Sequence, residues 1–171
     1  HKKPLFARAR RENATNLRAM GIKVFYDGAL GSEGALLSRC YHGQNHCGLK
    51  LWRIDALREV TARAWSKGAA VAIHAIGDAA VDDIVDMTAG LYKAGPVGEI
   101  HIEHAEIIRP ETIEKMKGLK IKCHMQPSHW LSDRKWLKEK LGSLAEAAFP
   151  WRKLQEADVP FTFGSDSPIE P

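Results

Sequence analysis

Three side chains in this sequence have the chemistry of a metal centre: His74, His104 and Asp166. Neutral imidazole nitrogen and carboxylate oxygen together suit zinc and similar divalent ions. Ligands drawn from different strands have no fixed interval in sequence, so spacing alone proves nothing, and taken singly each histidine reads as a satisfied structural residue. Their shared position singles them out, because each closes a short strand-like segment (70–74 and 99–104) or lies just past the end of one (161–164). Lys23 lies inside another such segment, between Ile22 and Val24. It is open to two readings: a side chain that snorkels from a strand edge, or a functional lysine held where an ordinary one would cost free energy.

Groups at strand ends need strands to hold them. Apolar residues at helical spacing over 8–20 stop at Gly21 and give way to a strand over 22–26. The stretch 27–50 is glycine-rich and irregular. A helix over 53–66 precedes a strand over 70–74, and a helix over 79–93, with Asp78 placed to cap it, precedes a strand over 99–104. Pro110 opens a helix to 117, and a strand follows over 121–126. A helical excursion over 133–157, broken at Gly142 and at Phe149–Pro150, leads to the last strand over 161–164. Five strands, each preceded by a helix, predict an α/β fold with all strands parallel.

A doubly wound sheet and part of a (β/α)8 barrel both suit this series. The polar residues decide between them: His74, His104, Gln126 and Asp166 fall at the C-terminal ends of strands or one step past, where the catalytic groups of a barrel converge. A nucleotide-binding sheet would open a helix on its glycine-rich turn, and Gly28, Gly31 and Gly34 open none. A complete barrel takes about 250 residues, so five strands in 171 residues amount to its second half. The ends, at His1 and at Pro171 after the turn-like 165–168, read as cuts. Strand edges at 22–26 and 161–164 then lack partners, and association or homo-oligomerisation through them is expected.

Composition narrows the function classes. A net charge of +4 with Lys and Arg interspersed among Asp and Glu does not imply nucleic acid. No apolar run is long enough for a membrane span. Cys40, Cys47 and Cys123 are odd in number and lack C-x-x-C spacing, which predicts no disulfide and a reducing, cytoplasmic setting. The cluster Cys40, His42, His46, Cys47 fits no standard zinc spacing and reads as loop. Asp82, Asp83 and Asp86 read as a solvated helix face, and Asp78 as an N-cap and not a catalytic acid.

The segments IKVFYDGALGSEGALL (22–37), HAIGDAAVD (74–82), IEHAEII (102–108), QPSHWLSDRKW (126–136) and FGSDSPIEP (163–171) resemble, in order, the amidohydrolase superfamily, and within it the YtcJ-like amidohydrolase 3 group. The resemblance covers nearly the whole chain. It implies barrel strands four to eight of a metal-dependent hydrolase that cleaves amide-type C–N bonds, other than peptide bonds, of a small-molecule substrate, with zinc or another divalent metal as one or two ions. Lys23 then matches a fourth-strand lysine that is carboxylated and bridges two metals, His74 and His104 the fifth- and sixth-strand ligands, and Asp166 the eighth-strand aspartate. Asp166 contacts metal and takes the proton of the attacking water before passing it to the departing nitrogen.

The first-strand His-x-His pair and the β-sandwich have no counterpart here, so the isolated chain is expected to be inactive. His101 stands where the family tends to have arginine and, by strand alternation, faces away from His104. His129 and Trp136 are candidates for the substrate pocket, with helix packing as the other reading. The rival to a hydrolase of C–N bonds is a noncatalytic barrel kept for binding or regulation, and a barrel of related type acting on esters or phosphoesters is a third reading that these ligands leave open.

Overall fold

The computed structural model describes residues 20–95 and 97–169. The helix expected over 8–20 lies outside them, apart from Met20. The strands are β1 (Gly21–Phe25), β2 (Ala70–Ala75), β3 (Ile100–His104), β4 (Ile121–Met125) and β5 (Phe161–Phe163). They form one parallel sheet in the order β1-β2-β3-β4-β5. A doubly wound sheet reverses its strand order at a switch point. The unbroken sequential order here is that of a barrel wall, so the fold is α/β and the chain forms part of a TIM barrel.

The helices are α1 (Ile54–Trp65), α2 (Asp78–Ala94), α3 (Pro110–Met116), α4 (Pro127–Asp133), α5 (Leu137–Leu141) and α6 (Trp151–Glu156), with a 3-10 helix at Gly142–Ala147. α1 packs on α2, α2 on α3 and α3 on α6, so they share one face of the sheet. On that face Val71, Ile73, Ala75, Ile100, Ile102, Ile121, Cys123 and Met125 are sealed from solvent. The helices meet them with residues at helical spacing, Leu57, Thr61 and Ala64 from α1 and Ala80, Ile84, Met87 and Leu91 from α2. The excursion expected over 133–157 is four short pieces. Pro127 starts α4 early, and positive φ at Gly142 and Phe149 breaks the chain where interruptions were expected.

The irregular stretch after β1 is packed and not loose. Leu30, Ala35, Leu37 and Tyr41 join Ile76, Ile107, Leu137 and Leu141 in a second apolar cluster beyond the C-terminal ends of the strands. The Leu37 amide donates to the Cys47 carbonyl (2.7 Å) and the Tyr41 amide to the His46 carbonyl (3.1 Å). This pairing brings Cys40 and Cys47 together, and they form a disulfide, contrary to the expectation of unpaired thiols. It also removes the basis for a reducing compartment and takes both sulfurs out of the Cys40–His42–His46–Cys47 cluster. Cys123 is free and buried in the main core, where burial pushes its thiol up to about 12.

Two more expectations change. Asp78 is not the N-cap of α2; Gly77 holds that position. The Asp78 carboxylate is wholly buried, accepts from the Ser38 amide (2.9 Å) and lies 3.1 Å from Arg109 Nε. The acidic face is paired as well as solvated: Asp83 accepts from the Tyr26 hydroxyl (2.7 Å) and Lys50 (2.8 Å), while Asp82 meets Thr112, Lys115 and Arg109. Among the described residues no helix is long and apolar enough to cross a membrane.

Two predictions follow from this packing. In the native protein none of the three cysteines should react with a thiol reagent; unfolding without reductant should expose one, and unfolding with reductant all three. A reactive native thiol would contradict the assignment. At Gly77 an added methyl group would overlap the Leu36 carbonyl, which receives the Ala79 and Ala80 amides at the start of α2. Gly77→Ala should therefore cost about 2–3 kcal/mol, read as a lower midpoint in urea unfolding.

Candidate functional site

The sheet face opposite the helices carries polar side chains, among them Lys23, His74, His101, Glu103, Lys122, His124 and Thr162. At its C-terminal end a cavity of about 430 Å³ is lined by Lys23, His74, His104, Glu106, His129 and Asp166, with Phe25, Leu30 and Ile76 as an apolar wall. Lys23, His74, His104, His129 and Asp166, five of the six residues singled out in the sequence, thus face one space. The sixth, Trp136, is not among the lining residues. It packs against the second apolar cluster under the ammonium of Lys140, 5.1 Å from its ring centre.

Local backbone geometry brings His104 to this space. Alternation along β3 would turn it with Ile100 and Ile102 toward the helices, but His104 (φ 76°) and Ala105 (φ 49°) both adopt the left-handed conformation. Asp166 does too, at φ 52°. Non-glycine residues seldom occupy this region, and clusters of them mark functional sites. His101 stays on the polar face of β3, where its Nδ1 lies 2.7 Å from His124 Nε2, whose own Nδ1 lies 2.8 Å from the Thr162 hydroxyl.

The imidazoles form a row. The ring centres of His74 and His104 are 4.5 Å apart, edge to face, and those of His104 and His129 are 5.8 Å apart, stacked. His104 Nδ1 lies 3.0 Å from Gln126 Oε1, and Gln126 Nε2 donates to the His124 carbonyl at 3.2 Å. With the amide held in that sense, Nδ1 of His104 carries the proton and Nε2 keeps its lone pair. His129 Nδ1 lies 3.0 Å from Glu106 Oε1, and its Nε2 lies 3.9 Å from Asp166 Oδ2. His74 Nε2 lies 3.6 Å from Asp27 Oδ1, and neither ring nitrogen of this buried histidine has a hydrogen-bond partner.

Burial sets the charge states. It lowers His104 to about 4, with the neighbouring His74 acting in the same sense. Burial also lowers His74, against the pull of the Gly28 backbone and with the Lys23 ammonium acting in the same sense as burial. Both rings are therefore neutral at pH 7 and able to donate lone pairs. Asp27 is raised to about 7, chiefly by burial and against the pull of its backbone donors.

A divalent cation fits this donor set. His104, Glu106 and His129 each offer a ligand atom, all within 4.8 Å of one another and all buried, and the unpartnered nitrogens of His74 stand beside them. Two of these participants, Glu106 and Asp27, were not singled out in the sequence. The available signal was a carboxylate inside an apolar or glycine-bounded run, Ala105-Glu106-Ile107 and Tyr26-Asp27-Gly28. Asp133 also lines the cavity.

Comparison with known proteins gives one answer. The model of the amidohydrolase family Amidohydro_3 matches residues 2–171. A Bacillus subtilis (strain 168) protein named as an amidohydrolase, YtcJ, is 33% identical over 154 residues, which cover 88% of this chain and 28% of that protein. The Arabidopsis thaliana protein LONG AFTER FAR-RED 3 is 34% identical over 154 residues, covering 87% of this chain and 26% of its own length. The crystal structure of an uncharacterized metal-dependent hydrolase from Pyrococcus furiosus superposes with a TM-score of 0.81 at 34% identity, over 93% of this chain and 33% of that one. The chain thus spans about a quarter to a third of the length of these relatives. With a family model matched over nearly its whole length, on a barrel wall whose strand ends converge on one cavity, this chain belongs to the amidohydrolase family.

Proposed function

We propose that this chain supplies the C-terminal part of the catalytic barrel of a metal-dependent hydrolase acting on a C–N bond, other than a peptide bond, of a small molecule. The carrying observation is the convergence of His74, His104, Glu106, His129 and Asp166 on one cavity from the ends of β2, β3 and β5 and the helix after β4. The family of the chain and the metal-dependent hydrolase it superposes on support the same reading.

Zinc is the proposed ion, because imidazole nitrogens and carboxylate oxygens in a buried setting suit it. His74, His104 and Asp166 would hold it, with Lys23 and Glu106 in reach of the same cavity. When bound, such an ion polarises the scissile carbonyl and acidifies water toward neutral pH. Asp166 takes the proton of the attacking water and returns it to the departing nitrogen. His129 offers that proton a second station: its Nε2 lies 3.9 Å from Asp166 Oδ2, and its Nδ1 is held at 3.0 Å by Glu106. The apolar wall of Phe25, Leu30 and Ile76 admits the uncharged part of the substrate and keeps bulk water away.

Alone, the chain is proposed to bind metal but not to turn over, since the relatives are three to four times its length and the remaining strands of the barrel would supply further ligands. Self-association is proposed through the sheet edges at β1 and β5, beside which Phe25 and Phe163 are 53% and 55% exposed. Light scattering should then report a species larger than a monomer.

Elemental analysis of the purified chain tests the metal reading. About one zinc or equivalent divalent ion per chain is expected, falling in His74→Ala and in His104→Ala and disappearing when both are combined. Metal retained by the combined variant would move the site elsewhere, and no metal in either this chain or a longer one would sink the hydrolase reading.

A further inference from the structure

We propose that Asp27 is a positioning residue that fixes His74 as its Nε2–H tautomer and so presents the Nδ1 lone pair to the cation site. The inference rests on the reading that His74 is a metal ligand, and it concerns a residue that does not itself line the cavity.

Asp27 is 1% exposed. Its Oδ2 accepts from the Leu36 and Gly77 amides, both at 2.9 Å, and its Oδ1 accepts from the Ile76 amide at 3.0 Å. A carboxylate oxygen has two acceptor sites, so Oδ2 is filled by two strong donors and Oδ1 retains one. The polar atom standing next to that remaining site is His74 Nε2, at 3.6 Å.

His74 has the complementary need. It is 8% exposed, neither of its nitrogens makes a hydrogen bond of full geometry, the Gly28 backbone is another polar group that favours its protonated form, and its ring is held between Phe25 and His104, with centre-to-centre distances of 5.0 and 4.5 Å. A neutral imidazole must place its one proton on either nitrogen. A proton on Nε2 faces an acceptor with an open site, whereas a lone pair there would face the carboxylate oxygen. Metal-binding histidines characteristically donate their second ring N–H to a carboxylate, which fixes the tautomer and raises ligand basicity. The three backbone donors fix Asp27 itself, joining the loop after β1 to the end of β2 and the start of α2, so the acceptor is in place before any ion arrives.

Two readouts test this. In the metal-free chain, nitrogen-15 NMR of the histidine rings should show His74 with the proton on Nε2; a predominant Nδ1–H form would overturn the proposal, and this needs no variant. In parallel, Co²⁺ alone is titrated into the wild type, Asp27→Asn, His74→Ala and the combined variant. Asp27→Asn should weaken Co²⁺ binding about 10–100-fold and add nothing once His74 is alanine. An equal loss in both backgrounds would mean that Asp27 only supports the fold, which would overturn the positioning role. Unchanged Co²⁺ affinity in His74→Ala would instead defeat the reading of His74 as a ligand, and the NMR result would still decide the tautomer. Should Asp27→Asn fail to fold, the wild-type spectrum alone decides.

Discussion

A buried carboxylate with three backbone amides around it is the constraint on which the rest of this molecule depends. Asp27 follows β1, yet its partners are Leu36 in the following loop and Ile76 and Gly77 between β2 and α2. A group so placed cannot lose one donor cheaply, because the acceptor atom it leaves unsatisfied is out of reach of water. The tie sets the path of the glycine-rich loop and lets the Leu36 carbonyl receive the first amides of α2. It also positions the end of β2, where His74 sits. The loop then packs Leu30, Leu37 and Tyr41 into a second apolar cluster and walls one side of the cavity.

Opposite faces of one sheet follow opposite rules. Toward the helices β2, β3 and β4 present branched and sulfur-containing apolar side chains without solvent access. Toward the other side they present His101, Glu103, Lys122 and His124, linked across strands by imidazole and hydroxyl contacts. His104 departs from this alternation through a left-handed backbone at the strand end, and that departure places it beside His74 and His129. Strain of this kind persists only when surrounding packing imposes it; here Ile107 and Ile108, both without solvent access, anchor the segment immediately after it.

Much of this was legible from residue order. The run 70–74 is apolar and partly β-branched, and 121–126 alternates apolar with polar residues up to Pro127, so the strands and their direction could be read, as could the polar residues at their ends. What escaped depends on tertiary neighbours. Cys40 and Cys47 come together only because backbone pairing folds the loop on itself. Asp82 and Asp83 look solvated on a helical wheel, and their partners Thr112, Lys115, Tyr26 and Lys50 arrive from other segments. Glu106 and Asp27 gave only the weak signal of an acid in an apolar or glycine-bounded run. Trp136 shared a motif with His129, but the turn between α4 and α5 sends it to the second cluster and not to the cavity.

The central claim is that the strand ends of this chain form a cation site through His74 and His104. Anomalous X-ray scattering at the zinc edge, from crystals grown with zinc, tests it most directly. The account predicts a peak within coordination distance of both rings, about 2.0–2.1 Å from a nitrogen of each. A peak on the His101–His124 pair instead, or none at the cavity, would contradict it.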